Sequence, residues 1–84
     1  MNKINWTRKA VKQVGKLNKA DQPKIFEAVE ALAHMPNVQN VKSLTNHQYG
    51  YRLRVGRYRV MFDWEGTVKI VNIEEVSKRD EHTY

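Results

Sequence analysis

The sequence predicts an α+β domain, with two N-terminal antiparallel helices packed on one face of a three- to four-stranded, mainly antiparallel sheet. Three observations carry this reading. Apolar residues recur at helical spacing between Ala10 and Ala33. The stretch YRLRVGRYRVMFD, from Tyr51 to Asp63, alternates in character around Gly56-Arg57, and a Gly-X pair closes two-residue hairpins. A third apolar run, Thr67 to Glu74, follows a turn at Glu65-Gly66. At 84 residues the chain reads as one domain, 1–84; a chain of this size buries only about 60–65% of its unfolded surface.

The elements follow in order. Lys3 to Trp6 (KINW) reads as a short strand, and the sheet has four strands if this segment joins it. Thr7 is an N-cap for a helix whose buried stripe is Ala10, Val11, Val14 and Leu17, with Gly15 weakening it and allowing a neighbour to approach. Asn18-Lys19-Ala20 breaks it. Asp21 caps a second helix with Pro23 in its first turn, where the missing N–H matters little. Ile25, Phe26, Val29, Leu32 and Ala33 form its stripe, and Met35-Pro36 ends it. Asn37 to Gln48 is polar and irregular, anchored by Val38, Val41 and Leu44. The hairpin comes next, Tyr51–Val55 and Tyr58–Asp63. In the last strand Val68, Ile70, Val71 and Ile73 supply apolar residues to both faces, the mark of a strand that is central or covered.

Fifteen Lys+Arg against nine Asp+Glu give a net charge of +6, which favours a polyanionic partner. There are no cysteines, consistent with a reducing compartment. No apolar run approaches a membrane span and the N-terminal segment carries no signal region, so a cytoplasmic protein without membrane contact is expected.

The arginines are concentrated. Four of six, Arg52, Arg54, Arg57 and Arg59, fall within eight residues. Folding the hairpin at Gly56-Arg57 pairs Val55 with Tyr58, Arg54 with Arg59, Leu53 with Val60 and Arg52 with Met61. Tyr51, Leu53, Val55, Tyr58, Val60, Phe62 and Trp64 then share an apolar face, and Arg52, Arg54 and Arg59 share the other. Like charges directly opposite on a sheet destabilise by roughly 0.2–1 kcal/mol. The arrangement calls for an anion, and an RNA phosphate, which the guanidinium fork fits bidentately, is the leading candidate.

Other polar residues read more plainly. His34 lies at a helix end and His47 in a loop, and with His82 they lack metal-ligand spacing, so no metal or other cofactor is expected. Glu74, Glu75, Asp80 and Glu81 are expected to pair with Lys78 and Arg79. Trp6 and Trp64 read as core. No Gly-rich phosphate loop or Ser/His/Asp order is present.

The motif RLRVGRYRVMF, a basic strand, a glycine turn and Tyr-Arg-Val before apolar residues, together with VKIVNIEEVSKRDEHTY and the element order, resembles the RelE/ParE superfamily, the toxins of bacterial toxin–antitoxin pairs. The resemblance spans essentially the whole chain and implies a RelE-like fold. RelE-type members enter the ribosomal A site and cut mRNA without a metal: the ribose 2′-oxygen attacks the adjacent phosphate, leaving a 2′,3′-cyclic phosphate or 3′-phosphate end and a 5′-hydroxyl. By position, the family's working residues fall on Arg52, Arg54, Arg59, Arg79 and Tyr84, with His82 in the neighbourhood of a working histidine of some relatives. The implied partners are a cognate antitoxin protein and the ribosome, its 16S rRNA and A-site mRNA.

Such cleavage needs an acceptor for the 2′ proton, positive charge at the phosphorane and a donor to the leaving 5′-oxygen. Arg59 is the residue for charge stabilisation, with Arg52, Arg54 and Arg57 on the flanking phosphates. Tyr84 is a general base or a stacking platform: a phenol titrates at ~10, and neighbouring arginines favour the phenolate. His82 suits protonation of the 5′-oxygen. Two other functions fit the same chain, a ParE-type inhibitor that binds DNA gyrase and a non-catalytic basic nucleic-acid-binding module.

Overall fold

A computed structural model describes residues 1–78. Its elements are β1 (Lys3–Trp6), α1 (Arg8–Gly15), α2 (Gln22–Glu30), a 3-10 turn (Ala31–His34), β2 (Val41–Ser43), β3 (Tyr51–Val55), β4 (Tyr58–Glu65) and β5 (Ile70–Lys78).

Thr7 turns the chain from strand to helix. Its N–H and hydroxyl both donate to the Ile73 carbonyl, at 3.1 and 2.8 Å, while its Oγ1 accepts the Ala10 N–H at 3.2 Å. The strand end and the helix cap are thus one residue. Ala10 and Val14 are buried, but Val11 is exposed, so the buried stripe of α1 is narrower than the spacing predicts. A Cβ built on Gly15 meets nothing within 4 Å; the close approach expected there is absent.

Asp21 occupies the N-cap position of α2 but makes no capping bond. Its backbone is already helical (φ −90°, ψ −23°), whereas a side-chain cap needs an extended residue. The carboxylate instead accepts the Tyr58 hydroxyl at 2.6 Å, tying α2 to β4. Ile25, Val29 and Leu32 face the core. Phe26 is 42% exposed and leans on Trp6, ring centroids 5.1 Å apart.

The sheet has five strands in the order β1-β5-β4-β3-β2. β1 joins it parallel to β5, from Lys3↔Ile70 to Trp6↔Ile73, and the other neighbours are antiparallel. The count exceeds the expected three to four because β2, within a stretch read as irregular, pairs Val41, Lys42 and Ser43 with Leu53, Arg52 and Tyr51. Three residues are too few for alternation to show in the sequence. The hairpin register is the one the turn dictates, with Val55 opposite Tyr58 and Arg54 opposite Arg59. Gly56 takes a φ of +55°, as the first central residue of a type II′ turn requires.

β4 extends to Glu65, beyond the expected Asp63, and β5 begins at Ile70, not Thr67. Lys69, at φ +56°, closes the turn before it, and Val68 is 60% exposed outside the strand. β5 lies between β1 and β4, which accounts for its apolar character. A register shift at Met61/Phe62 sets Met61 opposite Glu75 and Phe62 opposite Ile73, leaving Glu74 as the extra residue of a bulge. Where β1 stops, Gln13 of α1 accepts the Val76 N–H at 2.7 Å and satisfies the continuing edge of β5.

The core lies between the helices and one sheet face, joining Ala10, Val14, Ile25, Val29 and Leu32 to Leu53, Tyr58, Val60, Phe62, Val71, Ile73 and Val76. The Val, Leu, Ile and Phe side chains among them contribute about 1.5–3 kcal/mol each. Among the described residues the opposite face carries no helix. That is the face on which the arginines stand.

Candidate nucleic-acid interface

Strand alternation and register build this face row by row. One row runs Lys42–Arg52–Met61–Glu75 across β2, β3, β4 and β5, and the next runs Arg54–Arg59–Ser77. Lys42, Arg52, Arg54 and Arg59 thus project from the helix-free side, two of them directly opposed. Lys42, Arg52 and Arg54 line an open cleft of about 230 Å³ with Asn40 and Val41. Asn40 adopts φ +65°, a conformation asparagine tolerates, and its carbonyl accepts the Arg54 N–H at 3.0 Å. The strand edge behind the cleft is thereby fixed. Arg52 is half-buried and Arg54 exposed, so the cations are supported by the sheet yet open to a ligand.

Arg57 belongs elsewhere. With Asp21, Lys24, Val55, Gly56 and Tyr58 it lines a separate cleft of about 200 Å³ beside the start of α2. The Tyr58 hydrogen bond, followed by Lys24 and Arg57, holds the Asp21 carboxyl below its ordinary value, and the same bond pushes the Tyr58 phenol up. Arg57 faces a carboxylate here.

The far end of the helix-free face is acidic. Glu75 pairs with Lys9 of α1 at 2.9 Å, which raises the lysine above its ordinary pKa. Burial, then the neighbouring Asp63, raises the Glu74 carboxyl. Asp63 also accepts the Gly50 N–H at 2.7 Å. The expected pairing of Glu74 and Glu75 with Lys78 is therefore replaced: the bulge turns Glu74 toward Asp63, and α1 delivers Lys9 to Glu75. Met61 forms the apolar floor between the two ends and is only 6% exposed.

Arg79, His82 and Tyr84, and with them the pairings expected of Asp80 and Glu81, lie outside the described residues. His34 is exposed at the 3-10 turn, and His47 Nδ1 accepts the Tyr49 N–H at 3.0 Å. Among the described residues no His, Asp and Glu side chains group as metal ligands, and no helix is long and apolar enough to cross a membrane. Sequence reasoning missed Lys42 and Asn40. Reading VKS as a third basic strand would have placed Lys42 beside Arg52.

Residues 4–82 match the family described as the ParE toxin of the type II toxin–antitoxin system parDE. No curated protein matches by sequence. Among solved structures the fold is similar to the archaeal RelE–RelB complex from Pyrococcus horikoshii (TM-score 0.81, 24% identity, covering 95% of this chain and 97% of that one). It is also similar to the toxin–antitoxin complex RelBE2 from Mycobacterium tuberculosis (0.78, 19%, 93% and 98%). The isolated E. coli RelE toxin matches with a TM-score of 0.79 at 14% identity, over 99% of this chain and 89% of that one. The chain belongs to the ParE toxin family, within the RelE/ParE superfamily, and is a toxin of a type II toxin–antitoxin system.

Proposed function

We propose that this toxin is a metal-independent mRNA endonuclease that acts in the ribosomal A site and so inhibits translation. The observation that supports the reading is the opposition of Arg54 and Arg59 on the helix-free face, with Arg52 and Lys42 in the adjoining row. Four cations on one side of a small sheet suit a ribose–phosphate backbone better than they suit the fold.

In the proposed reaction the 2′-oxygen attacks phosphorus as its proton passes to a base. The P–O5′ bond breaks as O5′ takes a proton from an acid, leaving a 2′,3′-cyclic phosphate and a 5′-hydroxyl. Arg59 stabilises the charge on the non-bridging oxygens, and Arg52 and Arg54 hold the flanking phosphates. Tyr84 acts as base or stacking platform, His82 as acid, and Arg79 joins Arg59 as a catalytic residue at the reacting phosphate. Arg57, in the cleft beside Asp21, is an outer contact at most. In the cell a cognate antitoxin holds the toxin inactive: two of the similar structures, those from Pyrococcus horikoshii and Mycobacterium tuberculosis, are such complexes, and a net charge of +6 fits an acidic or amphipathic antitoxin segment.

The family match favours a second reading, inhibition of DNA gyrase by binding. Purified protein added to programmed ribosomes separates the two. Cleavage within the A-site codon is expected. Intact mRNA alongside inhibited gyrase supercoiling would establish the second reading instead.

A further inference from the structure

We infer that Tyr49 and His47, in the loop entering β3, form a nucleobase-stacking subsite beside Lys9, so that the toxin holds a single-stranded RNA by a base as well as by its phosphates. This rests on the RNA-directed reading and extends it.

Their rings lie 6.0 Å apart at 44°, and the Tyr49 N–H donates to His47 Nδ1 at 3.0 Å. That bond fixes the imidazole and, in the neutral ring, leaves the proton on Nε2, an outward donor for a base edge. His47 is exposed and Tyr49 half-buried; neither belongs to the hydrophobic core. Lys9 pairs with Glu75, which ends the row that begins Lys42–Arg52–Met61. Tyr49 also contributes to holding the Lys9 ammonium charged, so the loop reaches the same end of the face. Arg52 and Glu75 are separated by two strand spacings, roughly 10 Å. Proteins hold single strands by cations along the backbone and an aromatic platform for a base; here the platform stands at the acidic end of the face, across Met61 from the cations, where a base and not a phosphate is accommodated.

The test uses the full chain and a single-stranded RNA oligonucleotide carrying 2-aminopurine, whose fluorescence is quenched on stacking. The wild type and Tyr49→Phe should quench it. Tyr49→Ala should lose the quenching and bind about five- to a hundredfold more weakly. His47→Ala, at an exposed position, should weaken both readouts without lowering the melting temperature. Arg54→Ala should weaken binding but keep the quenching at saturation. If Tyr49→Ala and His47→Ala retain quenching and affinity while Arg54→Ala binds weakly, the subsite is overturned and the RNA reading stands. If the wild type binds no RNA, both fall.

Discussion

Arg54 on β3 faces Arg59 on β4 directly across the antiparallel hairpin. Like charges at opposed positions of a sheet repel, and on the proposed reading an RNA backbone supplies the counter-charge. Arg54→Thr should therefore stabilise the protein by about 0.2–1 kcal/mol while lowering mRNA cleavage at least tenfold. Urea denaturation and a ribosome cleavage assay on the same preparation read both quantities. Stability and activity falling together would mean that the pair serves the fold.

On the proposed reading Arg59 acts on the transition state and not in docking. Arg59→Ala should lose about a hundred- to a thousandfold in single-turnover cleavage, the usual effect of removing a charge-stabilising donor. Ribosome binding should stay within about tenfold. Tyr84→Phe removes only a hydroxyl, so a large rate loss assigns proton transfer to Tyr84, and an unchanged rate assigns stacking.

The Tyr58–Asp21 hydrogen bond joins the hairpin to α2 at 2.6 Å. Because it holds the Asp21 carboxyl below its ordinary value of 3.8, its stabilisation is present above that pH. It is lost as pH falls through the lower, folded-state value. Tyr58→Phe should melt a few degrees lower at pH 7, and the gap should close in strong acid. A gap independent of pH would mean that the hydroxyl acts through packing alone.

Much of this molecule is written locally in its sequence. The Gly56-Arg57 turn sets the hairpin register, and alternation then assigns Leu53 and Val60 to the core and Arg54 and Arg59 to the other face. Thr7 is legible as a cap because a hydroxyl before a helical pattern has a local role. Long-range relations were not legible. Asp21 looks like a cap in sequence, and only the position of Tyr58 redirects it. Lys42 escaped notice because three residues of strand show no period. Glu74 turns toward Asp63 through a bulge that no residue type announces, and the same shift sets Glu75 opposite Met61, where Lys9 reaches it.

Asn2 illustrates the same limit and gives a stability test. Nine per cent exposed, it donates from Nδ2 to the carbonyls of Leu32, Ala33 and Met35 at 3.5, 3.2 and 3.1 Å. Its Oδ1 accepts the Trp64 indole N–H at 3.0 Å. One side chain satisfies the end of the 3-10 turn and anchors β4. Asn2→Ala leaves these partners unsatisfied and should cost about 1–3 kcal/mol, lowering the melting temperature by about 4–8 °C per kcal/mol. A loss below about 0.5 kcal/mol would mean that water replaces the amide.

Glu74 supplies the opposite sign. Its carboxyl titrates above its ordinary 4.5 because burial and Asp63 disfavour the charged form, with Lys9 opposing them. The folded protein therefore binds the proton more tightly than the unfolded chain does. The stability this confers is complete below pH 4.5 and is lost as pH rises through the folded-state value. Above that value the Glu74 carboxylate lies beside Asp63, a like-charge contact of about 0.2–1 kcal/mol. Glu74→Gln removes that repulsion, and its amide can donate to Asp63. The variant should be more stable than wild type at pH 7 by under about 1 kcal/mol, and the difference should vanish near pH 4. Urea titrations at the two pH values measure it. A variant less stable at pH 7 would show that the attraction of Lys9 outweighs the repulsion of Asp63.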